Sequence, residues 1–292
     1  MSWTCGEFTV RCVVFPNPSD LTINNLLSEN YTTQYIQRRF TVGGKSYLSD
    51  LSWYSVSIND IRLIDSYKGV DGLTNSFAAA IWTIEMIMEW TIVSGRRIDF
   101  FNPITGPSFQ SILGQAPNFA PSAIYYGLLF AINANNYAPY IIRPTMAAKA
   151  SQSIKVYYLD YWSYYGVLIL NKDTSTAANG EVEVIMTDKT GLHCIYLSAS
   201  NLSATSGFSY GGYSFISNNS IPQGLFTQVL ILPDPATSNY FVPVNYSQAV
   251  YCRTVVATGS NYRSFPRWNP SDSGEEWPCI CLALLFFLSF II

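Results

Sequence analysis

Residues 60–102 constrain the fold of this chain more than any other stretch. Residues 60–65 read as a strand closed by a carboxylate, Asp65, and residues 69–75 as a loop carrying Gly69 and Gly72. A helix with Thr74 or Ser76 as its cap then runs to about Val93, because Phe77, Ile81, Ile84, Met88 and Ile92 return at three- or four-residue intervals. Gly95 ends it, and residues 97–101 form a second strand. Two strands joined through a crossing helix pair in parallel. This is the layout of one βα unit of a (β/α)8 barrel, in which residues at the carboxyl ends of strands carry the chemistry.

The flanking sequence extends the pattern and then breaks it. Residues 8–15 alternate, are rich in β-branched side chains and stop at Pro16 and Pro18, so they read as a strand. Residues 19–39 read as a helix capped by Asp20, and residues 122–134 as another. From about Ala138 the period shortens. Strand-like runs fall at 154–159, 165–170, 182–186, 194–197, 224–232 and 249–256, separated by turn signals such as Asn179-Gly180 and Gly211-Gly212. The expected fold class is α/β plus all-β: the C-terminal part of a (β/α)8 barrel over 1–137, then an antiparallel β-sandwich over 138–258. A polar stalk over 259–277 and a hydrophobic tail over 278–292 complete the chain.

Composition excludes several functions. With 292 residues, 49% hydrophobic and 12% charged, the chain is long and apolar enough for one large core or two moderate ones. Sixteen Lys and Arg against 19 Asp and Glu leave a net charge of -3, so no basic field attracts nucleic acid, and the pairs Arg38-Arg39 and Arg96-Arg97 read as solvated ends. One histidine, His193, makes a Cys/His zinc site untenable, so no metal and no cofactor are expected. His193 sits beside Cys194 in a strand-like run without a nucleophile elbow and reads as a partly buried structural residue. Phosphate-cradling and dinucleotide-binding glycine motifs are absent from the sequence. Glu85 and Glu89 share one helix face, expected to be solvated, and Asp71 and Asp99 read as loop and strand-end polar residues. Twenty-one Tyr, 17 Phe and 7 Trp suit sheet packing; Trp53, Tyr54 and Tyr67 are candidates for stacking on a sugar face.

Three features point to the cell surface. Sequons start at Asn30, Asn201, Asn218 and Asn245. Of six cysteines, Cys194 and Cys252 both lie in strand-like runs of the second half and are expected to form a disulfide, the alternative being two buried free thiols. The uncharged tail PCICLALLFFLSFII would span only about 22 Å as a helix, short of the roughly 30 Å hydrocarbon core. A removable glycolipid-anchor signal, attached at Ser271 to Gly274 or earlier near Gly259-Ser260-Asn261, fits it better than a tail anchor; a misread exon is a further alternative. Met1 to Glu7 lack signal-peptide character, which predicts further sequence upstream.

The run Ile61-Arg62-Leu63-Ile64-Asp65-Ser66-Tyr67, followed by Gly69-Val70-Asp71-Gly72-Leu73-Thr74-Asn75, resembles the nucleophile region of family 79 glycoside hydrolases, the heparanase and β-glucuronidase group. Leu170-Asn171-Lys172-Asp173 is similar to a strand end of that family's β-sandwich, and Tyr210-Gly211-Gly212-Tyr213 to its aromatic-glycine turn. The resemblance covers residues 15–256. It implies that residues 8–15, 60–65 and 97–101 are the sixth to eighth barrel strands, that Asp65 stands where the family has a nucleophilic Glu, and that Tyr67 and Asn102 border the substrate. Where the family places Asn after the nucleophile and His-Gly after the eighth strand, this chain has Tyr67 and Phe101-Asn102-Pro103.

Retaining hydrolysis needs two carboxyl groups about 5 to 5.5 Å apart, one protonated and one ionised. The resemblance supplies no counterpart for the acid/base Glu of the fourth strand. The expected function is therefore a truncated or degenerate, cell-surface glycoside-hydrolase-like protein, inactive alone, that binds a uronic-acid-containing carbohydrate. The alternatives are an active retaining β-glucuronidase-type enzyme whose first barrel strands lie outside this chain, and a structural β-sandwich surface protein. Oligomeric state is left open.

Overall fold

The computed structural model describes residues 7–15, 18–28, 41–42, 45–46, 55–64, 69–92, 97–100, 112–115, 118–135, 140–142, 144, 153–161, 164–175, 180–186, 190–215 and 222–254. All of them belong to one compact unit, Met1–Ala257. In chain order the first half holds β1 (Glu7–Phe15), α1 (Ile23–Leu26), β2 (Thr41–Val42), β3 (Lys45–Ser46), β4 (Ser55–Ile64), α2 (Phe77–Ile92), β5 (Arg97–Phe100), β6 (Ile112–Gln115), β7 (Asn118–Pro121) and α3 (Ala123–Asn135). The β-rich remainder holds β8 (Tyr140–Ile142), β9 (Ile154–Asp160), β10 (Tyr165–Asn171), β11 (Gly180–Val184), β12 (Leu192–Ser198), β13 (Ser209–Tyr210), β14 (Ser214–Phe215), β15 (Pro222–Gln223), β16 (Val229–Ile231), β17 (Tyr240–Val244) and β18 (Gln248–Thr254).

Strands β1, β4 and β5 form a parallel sheet in that order. The pairs Phe15 with Ile64 and Ile61 with Phe100 bring the carboxyl ends of all three strands to the same edge. A parallel sheet with a helix between consecutive strands is what the 60–102 pattern predicts, although β4 begins five residues earlier than expected, at Ser55. The helix expected over 19–39 is, among the described residues, a 3-10 turn at Pro18–Asp20 and the single turn α1. Its cap is Thr22, whose Oγ1 accepts from the Asn25 amide at 3.1 Å, and not Asp20. Residues 29–40 lie outside the described set.

The second half is organised by a seven-stranded sheet in the order β13-β12-β18-β10-β9-β8, with β16 paired to β12. Its central strands alternate between two buried environments. On one face Val156, Val167, Ile169, Cys194, Val250 and Cys252 share a core with Val184 of β11 and Tyr240, Val242 and Val244 of β17, which form a two-stranded sheet of their own. On the other face Tyr157, Tyr161 and Tyr210 reach the helices: the Tyr157 hydroxyl donates to Glu89 of α2, Tyr161, whose hydroxyl also meets that of Tyr251, to the Ala134 carbonyl of α3, and Asn133 of α3 donates to Tyr210. Cross-strand alternation with both faces covered explains why these runs read as near-continuous apolar sequence.

Helix α2 is consequently enclosed. Trp82 meets Phe100 of β5 edge-on at 6.0 Å between ring centroids, while Glu89 faces β9. Phe77 through Trp90 are all buried, so the helix has no solvated side. Helix α3 lies so close that a Cβ on Gly127 would stand 2.6 Å from the Ala80 carbonyl oxygen. Gly211 and Gly212, in a left-handed turn at φ 54° and 87°, let Tyr210 and Tyr213 bridge; a Cβ on Gly212 would meet the Leu225 carbonyl at 2.4 Å.

Candidate functional site

Chemistry on a parallel sheet is expected at the strands' carboxyl ends, and Ile64, the last residue of β4, lies there beside Phe15. Asp65 follows Ile64 by one peptide bond. Asp65, Tyr67 and Asn102 themselves lie outside the described residues, as do Trp53 and Tyr54. What the structure does describe is the loop leading from that edge into α2. Its backbone turns on Gly69 and Gly72, at φ 66° and 76°. The Thr74 hydroxyl accepts from the Val70 amide and donates to the Val70 carbonyl, both at 3.0 Å, while Asn75 Oδ1 accepts from the Gly72 amide at 2.8 Å. Asp71 is taken up here too, accepting from Asn75 Nδ2 at 2.8 Å.

The expected caps act differently from the sequence reading. The Ser76 hydroxyl donates backward to the Leu73 carbonyl at 2.7 Å, bracing the loop. The first amides of α2 find partners in the β-rich region instead: Phe77 N–H donates to the Ala204 carbonyl at 2.8 Å and Ala78 N–H to the Leu202 carbonyl at 2.9 Å. Two of the four donors that a helix start leaves open are thereby satisfied from a distant segment. Such a cap has no local sequence signature.

Further along α2, Glu85 and Glu89 are buried, which corrects the expectation of a solvated face. Lys172, just past β10, donates from Nζ to both Glu85 oxygens at 3.0 and 3.3 Å. Lys155 of β9 lies 3.5 Å from Glu89 and 3.9 Å from Glu85, and the Tyr157 hydroxyl donates to Glu89 at 2.9 Å. The face that a barrel helix would present to water is here covered by the antiparallel sheet, and the two ammonium groups make that burial tolerable. Burial raises the Glu85 pKa above its ordinary value, opposed by Lys172 and then Lys155. A sequence signal existed: α2 is apolar around its whole circumference apart from Thr83, Glu85, Glu89 and Thr91, so it has no polar side for the two carboxylates to join.

The remaining candidates are placed as follows. Cys194 and Cys252 are register partners on β12 and β18, bonded as a disulfide with 4.0 Å between their Cα atoms. A Cys-His nucleophile at this position is thereby excluded. His193 is half-buried opposite Arg253, its pKa lowered by burial and then by that guanidinium. Asn201 and Asn245 are exposed, and Asn30 and Asn218 lie outside the described residues. Asp99 is on β5. Among the described residues no group of His, Cys, Asp and Glu is disposed to hold a metal ion, and no helix is long and apolar enough to cross a membrane.

No family model and no curated protein matches the sequence. Solved structures do match the fold. A 4-O-alpha-L-rhamnosyl-beta-D-glucuronidase from Fusarium oxysporum 12S superposes with a TM-score of 0.66 at 13% identity, over 85% of this chain and 53% of that one. A family 51 alpha-L-arabinofuranosidase from Bifidobacterium longum gives a TM-score of 0.53 at 12% identity, over 85% and 53%. The family 51 arabinofuranosidase from Xanthomonas axonopodis pv. citri gives 0.52 at 10%, over 85% and 52%. The chain thus spans about half the length of these structures. Three parallel strands with their helix, joined to a β-rich region, make this chain glycoside-hydrolase-like in fold.

Proposed function

We propose that the chain is a family 79-type, β-glucuronidase- and heparanase-like protein that binds a uronic-acid-containing carbohydrate at the carboxyl end of β4 and does not cleave it unaided. What supports this reading is the superposition on a glucuronidase over 85% of the chain, joined to the sequence resemblance, which implies Asp65 at the nucleophile position two residues before Tyr67, with Asn102 after the neighbouring strand. Asp is one methylene shorter than Glu, roughly 1.5 Å of reach, and a misplacement of about 1 Å costs on the order of a hundredfold in rate. A protonated second carboxyl group is also required. Glu85 and Glu89, the buried carboxylates among the described residues, are committed to Lys172, Lys155 and Tyr157 and do not supply it.

The same proposal includes the division near residue 138, a β-sandwich over 138–258, and display at the cell surface through a glycolipid or tail anchor on 278–292 beyond the 259–277 stalk, with glycans on Asn201 and Asn245. A second reading is favoured by one observation: the chain spans about half the length of the structures it matches, and β1 and β5 pair only with β4 among the described residues. In that reading further barrel strands from outside this sequence complete an active retaining β-glucuronidase.

Titration calorimetry tests the binding. A β-glucuronide disaccharide should bind the full chain saturably, and the corresponding glucoside less tightly. Asp65→Ala should weaken the glucuronide by about tenfold, the loss of one hydrogen bond to a charged group. Absence of binding to either sugar overturns the proposal.

A further inference from the structure

The densest set of charged side chains in the described structure lies away from the end of β4, where α2 meets the central sheet. Glu85 and Glu89 come from successive turns of α2, Lys155 from β9, and Lys172 from just beyond β10. Each side chain is 10% exposed or less, and two carboxylates face two ammonium groups. Tyr157 completes the set. Of the other elements against α2, α1, α3 and β8 contain no charged residue, while β5, which meets it through Phe100 and Trp82, carries Arg97 and Asp99.

Dispersion and burial alone do not require such a set, since well-packed apolar side chains of similar volume fill a junction of this kind at equal or lower cost. What the charges add is discrimination between registers. Sliding α2 along the sheet by one turn displaces its side chains by about 5.4 Å; because Glu85 and Glu89 sit four residues apart, one of them then takes the other's place and the remaining carboxylate is left buried without its ammonium partner. Apolar contacts tolerate such a slip far better. Helix α2 is also tied at its start, through Phe77 and Ala78 to the carbonyls of Ala204 and Leu202. Between these two attachments and β4 lies the loop braced by Thr74, Asn75 and Ser76, whose chain leads back to Asp65.

We infer that Glu85, Glu89, Lys155 and Lys172 form a register key by which the β-rich region fixes the seating of α2 and, through its first turn, the loop that follows Asp65. Lys155 and Lys172 are positioning residues in this scheme, and the scheme holds whether or not the chain binds or cleaves a sugar.

The test uses the full chain, a urea midpoint, and amide exchange at Gly72, Thr74, Phe77 and Ala78. Lys172→Met leaves Glu85 facing Lys155 alone and should lower the midpoint and speed exchange at these amides by about tenfold or more. The four-fold variant Glu85→Leu, Glu89→Leu, Lys155→Met, Lys172→Met should recover the midpoint while exchange at Phe77 and Ala78 stays about tenfold faster than in the wild type. The reversed pair Glu85→Lys with Lys172→Glu should recover both properties relative to Lys172→Glu alone. Wild-type exchange at Phe77 and Ala78 in the four-fold variant overturns the inference. So does a Lys172→Met protein indistinguishable from wild type, or failure of both the four-fold variant and the reversed pair to fold. Folding of the reversed pair where the four-fold variant fails supports it.

Discussion

Replacing Gly127 by alanine opposes two effects of known size, so the sign of the result is informative. An alanine in a helix interior is favoured over glycine by about 1 kcal/mol, and on an unconstrained helix Gly127→Ala would stabilise α3. In this structure the new Cβ would stand 2.6 Å from the Ala80 carbonyl oxygen, 2.9 Å from Thr83 Cβ and 3.1 Å from Ala80 Cα. The first and third are backbone atoms of α2, so no rotamer change relieves them. Helix α3 must retreat by about 0.8 Å to reach an ordinary 3.4 Å contact. Overpacking of this kind costs roughly 1–3 kcal/mol, and Tyr161 and Tyr210 hold α3 to the sheet through Ala134 and Asn133, which leaves it little room to move. After subtracting the propensity gain, the expected net loss is about 0–2 kcal/mol, read as a fall in melting temperature of up to about 8 °C by circular dichroism. A melting temperature raised by the substitution would refute the close approach of α2 and α3, and with it the enclosure of Glu85 and Glu89.

The pH dependence has a defined direction. Because burial raises the folded-state pKa of Glu85, its contribution to stability is fully present below the unfolded value of 4.5 and is lost as pH rises through the folded value. Relative to Glu85→Gln, the wild type should therefore gain stability as pH falls from neutral toward 4.5, measured by urea unfolding at a series of pH values; the opposite slope means that Lys172 and Lys155 dominate. The disulfide closes a span of 58 residues. In the chain-entropy treatment this is worth about 4 kcal/mol, so Cys194→Ala with Cys252→Ala should unfold at a markedly lower urea concentration under non-reducing conditions, and an unchanged midpoint would show the bond to be unimportant.

Much of this fold is written locally and some of it is not. The strands β9, β10 and β18 are legible because their Val, Ile, Leu and Tyr runs end at turn residues, and α2 because its apolar positions repeat at helical spacing. β17 escapes the sequence reading, since Pro243 demotes it; among the described residues it pairs with β11 alone, an arrangement that tolerates the missing amide. The period of α2 is legible in the sequence, whereas its surroundings are not. Glu85 and Glu89 look like a solvated pair until Lys155 and Lys172, 66 or more residues later in sequence, are brought against them. Capping failed for a similar reason: Thr74 and Ser76 carry the right side chains, but the partners of Phe77 and Ala78 come from Leu202 and Ala204. Local period reports the element, whereas long-range contacts decide what its polar groups meet.

Turnover is the most direct measure of the functional account. The full chain should release no aryl group from an aryl β-glucuronide above the buffer rate across the acid to neutral range, and Asp65→Asn should behave identically. Hydrolysis by the wild type that disappears in Asp65→Asn would contradict the account and identify Asp65 as a working nucleophile.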